Sequence, residues 1–227
     1  MNFKEQNKTR PRPWIKYYSS PSVADLEYPD GTMYDVFRET VLRNPDAPAI
    51  DYMTSRMTFR TLHHEVLRCA AALKEFGAGR GDRITVCLPN IPQAVIVFYA
   101  ILYIGAEANM IHPLSSGNEI EFYINESKSK ILFMFDAFFG KTEGIRCPSL
   151  QKIVFAGAAD LLPFYLRAGF RLTQGRKIKK PQETVSVYSW KTFLGKYKTA
   201  ELRDDFGASG LKCTDTAVIL YSGGTSG

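Results

Sequence analysis

The stretch that decides the fold is GDRITVCLPNIPQAVIVFYAILYIGAEANMI, Gly81 to Ile111. Within it ITVCLPN, Ile84 to Asn90, is a continuous apolar run stopped by proline and asparagine. That is the pattern of a strand buried on both faces in a mostly parallel sheet. A helix follows from about Ile91 to Tyr103, with Pro92 in its first turn, where a missing N–H does no harm, and it ends at Gly105. Glu107 to Ile111 resumes as a strand before Pro113. Strand, helix and strand with short links form one unit of an α/β sheet.

The same alternation extends in both directions. Upstream, Thr32 caps a helix running to about Arg43, NPDAP breaks it, and AIDY is a short apolar stretch. The segment beginning MTFRTL places Leu62, Val66, Cys69, Leu73 and Phe76 on one helical stripe, and Gly77 stands where a left-handed cap is wanted. Downstream, Ser116 and Glu119 have the spacing of a capping box for a helix from about Gly117 to Ser127. ILFMF (Ile131 to Phe135) and KIVFA (Lys152 to Ala156) read as further strands. Between Ala158 and Trp190 the pattern loosens into a partly amphipathic helix, LLPFYLRAGFRL, the basic TQGRKIKKP and a strand-like TVSVY. This excursion suits a membrane surface by its basic amphipathic character; a surface helix pair packed on its own domain is the commoner use of such a pattern.

Composition excludes several functions. With 45% hydrophobic residues over 227 positions the chain can bury a real core. No apolar run approaches the ~20 residues of a membrane span, and the polar, basic start MNFKEQNKTRPRPW does not resemble a secretory signal, so a cytoplasmic location is expected. Cys69, Cys87, Cys147 and Cys213 lack the paired spacing of zinc or redox sites and are expected to be buried free thiols. His63, His64 and His112 make no two-histidine metal face, so no metal is assigned to the chain's own residues. The net charge of +6 is spread among mixed signs except in the first sixteen residues and in Arg176 to Lys180, and no basic and aromatic interleaving supports a nucleic-acid partner.

TAVILY, Thr216 to Tyr221, is a short strand, and SGGTSG leaves its carboxyl end, where open α/β sheets bind ligands. Gly223, Gly224 and Gly227 let backbone N–H groups approach an anion, and Ser222, Thr225 and Ser226 add hydroxyl donors, a composition suited to phosphate oxygens. A plain turn uses the same residues. The spacing matches neither the dinucleotide fingerprint, nor the Walker loop, nor the serine hydrolase elbow.

YSGGTSG, Tyr221 to Gly227, resembles the opening of the signature loop of adenylate-forming enzymes, the superfamily of acyl-CoA synthetases, luciferases and peptide-synthetase adenylation domains. Their loop reads roughly Y-[ST]-[SG]-G-[ST]-[ST]-G and continues through Pro-Lys-Gly. The run from Met57 to Leu114 and SGNEIEFYINESKSKILFMF, Ser116 to Phe135, resemble the same family in order. The opening WIKYY and YPDGTMYDVF, the glycine pair and the long excursion look more like long- or medium-chain fatty acyl-CoA ligases than like peptide-synthetase domains. The resemblance implies the N-terminal part of the large synthetase domain, truncated: a mostly parallel sheet flanked by helices from residue 31 to 227, an N-terminal extension over 1 to 30, and a C-terminal lid domain absent.

It also implies ATP-dependent conversion of a fatty acid to an acyl-adenylate and then to an acyl-CoA, with ATP, Mg²⁺ and coenzyme A. Thr225 and Ser226 would lie nearest the phosphates, Gly223, Gly224 and Gly227 would give backbone freedom, and Ser222 would make a secondary contact. Gly223 stands where many relatives carry serine. His112 lies near a second short family motif, where it could face the nucleotide or thiol channel or simply close a strand. The loop lysine, the acidic Mg²⁺ ligand and the catalytic lysine of the family have no counterpart here, so no catalytic residue is expected in this chain and it should be inactive alone. Open sheet edges suggest a homodimer. Aryl- or amino-acid activation, and a non-catalytic module of the same fold, remain the alternatives.

Overall fold

The computed structural model describes residues 12–19, 30–173, 181–195 and 210–221. The chain divides into two compact units, Met1–Asp30 and Gly31–Gly227. In the first, Pro13–Tyr17 makes a short 3-10 helix. The second carries the sheets and the helices packed on them.

Helix α1, Met33–Arg43, starts in a capping box: the Asp35 N–H donates to Thr32 Oγ1 at 3.1 Å, and the Thr32 N–H donates to Asp35 Oδ2 at 2.8 Å. It buries Tyr34, Phe37 and Val41. Strands β1 (Pro48–Tyr52) and β2 (Ser55–Thr58) pair antiparallel as a separate hairpin. The sequence reading has one strand here, because the usual Asn-Gly or Asp-Gly signal is missing. Met53 and Thr54 make the turn with φ of 46° and 66°, a left-handed pair without glycine. Helix α2, Phe59–Glu75, buries Leu62, Val66, Cys69 and Leu73 of the predicted stripe, with Phe76 half-buried at its C-cap, and Gly77 follows at φ 78°.

The main sheet holds β3 (Arg83–Cys87), β4 (Glu107–Met110), β5 (Ile131–Phe135), β6 (Lys152–Ala156), β7 (Val187–Ser189) and β8 (Val218–Leu220). Its order is β7-β6-β5-β3-β4-β8, and all five pairings are parallel. Helix α3 (Pro92–Tyr103) joins β3 to β4, and α4 (Gly117–Ser127) carries the chain back past β3 to β5. Right-handed crossovers in opposite directions put α3 and α4 on opposite faces. The strand residues divide accordingly. Ile131 and Phe133 join the core under α1, α2 and α3, while Leu132 and Met134 join Ile120 and Ile124 of α4 and the 3-10 segment Asp136–Thr142. Helix α5 (Phe164–Thr173) follows β6, and α6 (Trp190–Leu194) returns to the first core. No described helix is long and apolar enough to cross a membrane.

Since the links leaving β3 and β4 depart to opposite faces, the sheet has a crevice at the carboxyl ends of these two strands, the position where open α/β sheets take ligands. β8 lies against β4, so Tyr221, the residue after β8, emerges beside that crevice.

Candidate functional site at the carboxyl end of the sheet

β8 is three residues long and is held in register along β4: Ala108 faces Val218, Asn109 faces Ile219 and Met110 faces Leu220. Tyr221 comes next. Its ring packs on Tyr123 of α4 with centroids 4.1 Å apart, and its hydroxyl makes a long 3.4 Å hydrogen bond to the Tyr123 carbonyl. Burial raises the phenol's pKa above its ordinary value; Glu126 and Tyr123 add to this and Arg83 opposes it. The phenol therefore stays a neutral donor through the physiological range.

The anchor of Tyr221 continues into a buried polar network. Thr85, Asn109 and Ser129 are fully buried and Ser127 nearly so. Asn109 Nδ2 donates to Thr85 Oγ1 at 2.8 Å and to Ser127 Oγ at 2.9 Å, and Thr85 Oγ1 donates to Ser129 Oγ at 2.7 Å. Ser127 Oγ donates to the Tyr123 carbonyl at 2.8 Å, the acceptor that Tyr221 also uses. β3, β4, α4 and the end of β8 thus meet at one carbonyl. An asparagine inside the apolar strand EANM was the one sequence signal that could have exposed it.

His112 sits exposed at the end of β4. Its Nδ1 accepts the Leu114 N–H at 3.2 Å, so the neutral ring carries its proton on Nε2. Its carbonyl accepts from the Cys87 thiol at 3.7 Å. The turn beyond is latched by Lys141, whose Nζ donates to the carbonyls of Leu114 at 3.0 Å and Ser115 at 2.8 Å. The predicted box at α4 is present: Ser116 N–H donates to Glu119 Oε2 at 2.7 Å, and Glu119 N–H to Ser116 Oγ at 3.3 Å. The Ser116 N–H first, and the Ser116 hydroxyl after it, hold the Glu119 carboxyl below its ordinary pKa. Lys141 carried no signal in the sequence, because nothing local ties residue 141 to 114.

The predicted phosphate residues Ser222, Gly223, Gly224, Thr225, Ser226 and Gly227 lie outside the described residues. The residue before them, Tyr221, is placed on Tyr123 of α4. The cysteines are unbridged: Cys69 and Cys87 are buried, Cys147 is half-buried and Cys213 is exposed. Cys213 departs from the expectation of buried thiols, since it lies in the surface turn before β8. Burial pushes Cys87 up to about 12 and Cys69 well above its ordinary value, so neither is a thiolate at neutral pH. His63 is structural, with Nε2 3.0 Å from the Tyr34 hydroxyl. Among the described residues no group of three His, Cys, Asp or Glu side chains is placed to hold a metal ion.

The chain is 28% identical over 221 residues to the long-chain-fatty-acid–CoA ligase of Bacillus subtilis (strain 168), covering 95% of this chain and 38% of that protein. It is 27% identical over 229 residues to the protein of the same name from Yersinia pestis, covering 94% and 38%. Over 109 residues it is 35% identical to the acetyl-coenzyme A synthetase of Xylella fastidiosa (strain Temecula1 / ATCC 700964), covering 48% of this chain and 16% of that one. The chain thus spans about two fifths of the length of the fatty-acid ligases it matches. Its fold matches the crystal structure of an anthranilate CoA ligase in complex with anthranoyl-AMP, with a TM-score of 0.69 at 22% identity over 90% of this chain and 34% of that one. The description "AMP-binding enzyme" fits a family model matching residues 37–227, most of the chain. This chain belongs to the AMP-binding enzyme family, and its α/β fold is that of the N-terminal part of the adenylate-forming ligases.

Proposed function

We propose that this chain supplies the phosphate-binding opening of a ligase that activates a fatty acid with ATP and passes the acyl group to coenzyme A. The observation that carries this reading is the parallel docking of β8 on β4, which brings Tyr221 to the carboxyl end of the sheet. The names of the fatty-acid ligases that match almost the whole chain support the substrate class.

In the first half-reaction a carboxylate oxygen attacks the α-phosphorus of ATP, the bond to the bridging oxygen breaks, and pyrophosphate leaves with that electron pair. In the second, the thiol sulfur of coenzyme A attacks the acyl carbonyl and AMP departs. Both steps gain from donors set beforehand around phosphate oxygens. Thr225 and Ser226 give hydroxyl donors, Gly223, Gly224 and Gly227 give backbone N–H groups free of side-chain crowding, and Ser222 adds a further contact.

The test pairs two measurements. Pyrophosphate release is followed for the whole protein with ATP and a panel of acids from acetate to long-chain fatty acids and aryl acids. ATP binding to the chain is followed by titration calorimetry, with Thr225→Ala and Ser226→Ala each expected to weaken it about tenfold or more, the size of a hydrogen bond to a charged group. Unchanged binding in both variants would remove the loop from the site, and release with no fatty acid would remove the substrate class. A shorter acid is the second reading, favoured by the 35% identity to an acetyl-coenzyme A synthetase over 109 residues, and the same panel decides it.

A further inference from the structure

The turn that follows β4, residues 112–116, is exposed yet tied from several sides. Leu114 is 64% exposed and His112 is exposed as well, so burial of apolar surface does little to fix its shape. Hydrogen bonds do that instead, and three neighbouring strands contribute to them. At the end of β3 the Cys87 thiol donates to the His112 carbonyl at 3.7 Å, and the Ser115 N–H donates to the same oxygen at 3.0 Å. In the turn itself the Leu114 N–H donates to His112 Nδ1 at 3.2 Å. From the 3-10 segment that follows β5, Lys141 Nζ donates to the carbonyls of Leu114 at 3.0 Å and Ser115 at 2.8 Å.

Lys141 straddles the turn. A Cβ on Gly117, the first residue of α4, would stand 2.9 Å from the Lys141 carbonyl oxygen, so the backbone of the 3-10 segment lies directly against the start of that helix. The side chain then reaches back over the turn, with Nζ 4.7 Å from the centre of the Phe138 ring, which in turn packs on Phe135 of β5 at 5.5 Å. Fixing a lysine in one geometry costs rotamer freedom. Here that freedom is given up for two carbonyls of an exposed loop whose far end the Ser116 and Glu119 box already secures. Such a tie adds little to a core, and its effect is to hold the loop in one shape. The loop leaves the carboxyl end of β4, where the links from β3 and β4 part to opposite faces and a ligand crevice opens.

We propose that Lys141 is a positioning residue for nucleotide: by holding residues 112–116 in one shape, it sets a wall of the crevice before ATP enters. The inference rests on the ligase reading above. Lys141 acts through the turn and is assigned no contact with the reacting atoms, and without it each binding event would have to order the turn anew.

The test follows pyrophosphate release by the whole protein, with whichever acid it activates, for Lys141→Met, which keeps the stem and removes the donors, and for Lys141→Arg, which keeps charge and donors. Lys141→Met should raise the KM for ATP about tenfold, the cost of refixing roughly one loosened backbone residue on binding. Its kcat should stay within about threefold of the parent, and Lys141→Arg should restore the KM to within about threefold. A lysine that serves stability alone would lower the urea midpoint and leave the KM of the folded variant unchanged. In the unaltered protein, saturating ATP should slow hydrogen exchange at the Leu114 and Ser115 amides about fivefold or more, a readout that does not depend on how a variant folds. A parental KM in folded Lys141→Met, a Lys141→Arg variant as impaired as Lys141→Met, or amides that ATP leaves unmoved would each overturn the proposal while the ligase reading stands. No pyrophosphate release by the parent with any acid would remove that reading and this inference with it.

Discussion

Replacing Thr85 by valine is a sharp perturbation of the buried network, because it keeps the shape of the side chain and removes one hydroxyl. That hydroxyl donates to Ser129 Oγ at 2.7 Å and accepts from Asn109 Nδ2 at 2.8 Å, and all three residues are fully buried. A net hydrogen bond contributes about 1 kcal/mol, so losing two costs about 2 kcal/mol, with no cavity to add because a methyl replaces the hydroxyl. The amide of Asn109 keeps Ser127 Oγ at 2.9 Å, which holds the loss near this figure. Urea unfolding followed by far-UV circular dichroism should show a midpoint lower by about 1 M with unchanged slope, for a slope of about 2 kcal/mol/M. Ser129→Ala removes the same Thr85 bond from its other end. The double variant should then cost about 1 kcal/mol less than the sum of the two single changes. A Thr85→Val loss below about 0.5 kcal/mol, or strict additivity, would refute the network as a clamp between β3 and α4.

At mildly alkaline pH a thiol reagent should modify exposed Cys213 fast and leave buried Cys69 and Cys87 untouched until the chain unfolds, which kinetics with and without urea will report. Because the Cys87 pKa is raised from 9.0 to about 12, its contribution to stability is full below the unfolded value and is lost as pH rises through that window. A Cys87→Ala variant should lose less stability than the parent between those pH values. Glu119 has the opposite sign: its pKa is depressed, so its contribution is present above the unfolded value of 4.5 and is lost as pH falls through the folded one. Glu119→Gln should flatten the acid limb of a stability profile, and an unchanged limb would deny the cap its role. Gly117→Ala should destabilise by about 1–3 kcal/mol although alanine is the better helix former, because its Cβ would stand 2.9 Å from the Lys141 carbonyl oxygen. A stabilised variant in thermal unfolding would mean that the latch gives way freely.

Much of the fold was legible because its signals are local. The Thr32 cap and the Ser116 and Glu119 capping box each sit within four residues of sequence, and the glycines after α2 and α3 adopt φ of 78° and 73° as helix-ending glycines do. The runs Ile131–Phe135 and Lys152–Ala156 match their strands residue for residue. What escaped was either written in unexpected residues or not local. Lys128 ends α4 at φ 52° where glycine or asparagine would have announced it, and Met53 and Thr54 turn the hairpin in the same way. The sheet order, the Lys141 latch and the Tyr221–Tyr123 contact join residues far apart in sequence, and no periodicity records them.

Gly105 shows how a correct local reading can hide a distant task. Its positive φ suits the end of α3, but a Cβ there would also stand 3.0 Å from Leu211 Cδ2, so the glycine makes room for the segment that leads into β8. Arg80, in the turn before β3, donates to Asp215 Oδ2 at 3.1 Å, and the same oxygen accepts the Lys212 N–H at 3.0 Å. The Arg80–Asp215 pair is substantially exposed and contributes at most about 1 kcal/mol, so its value lies in position. Together these contacts set where β8 starts, and the Ala108 N–H to Ala217 carbonyl bond at 3.0 Å begins its ladder. Side chains alternate along a strand, so a slip of one residue would turn Tyr221 away from Tyr123 and α4. The position of Tyr221 is therefore governed from the opposite end of the sheet, by Gly105, Arg80 and Asp215. Gly105→Val should weaken nucleotide binding without touching any residue near the phosphates, and binding that survives at parental strength in a folded variant would separate the register of β8 from the site.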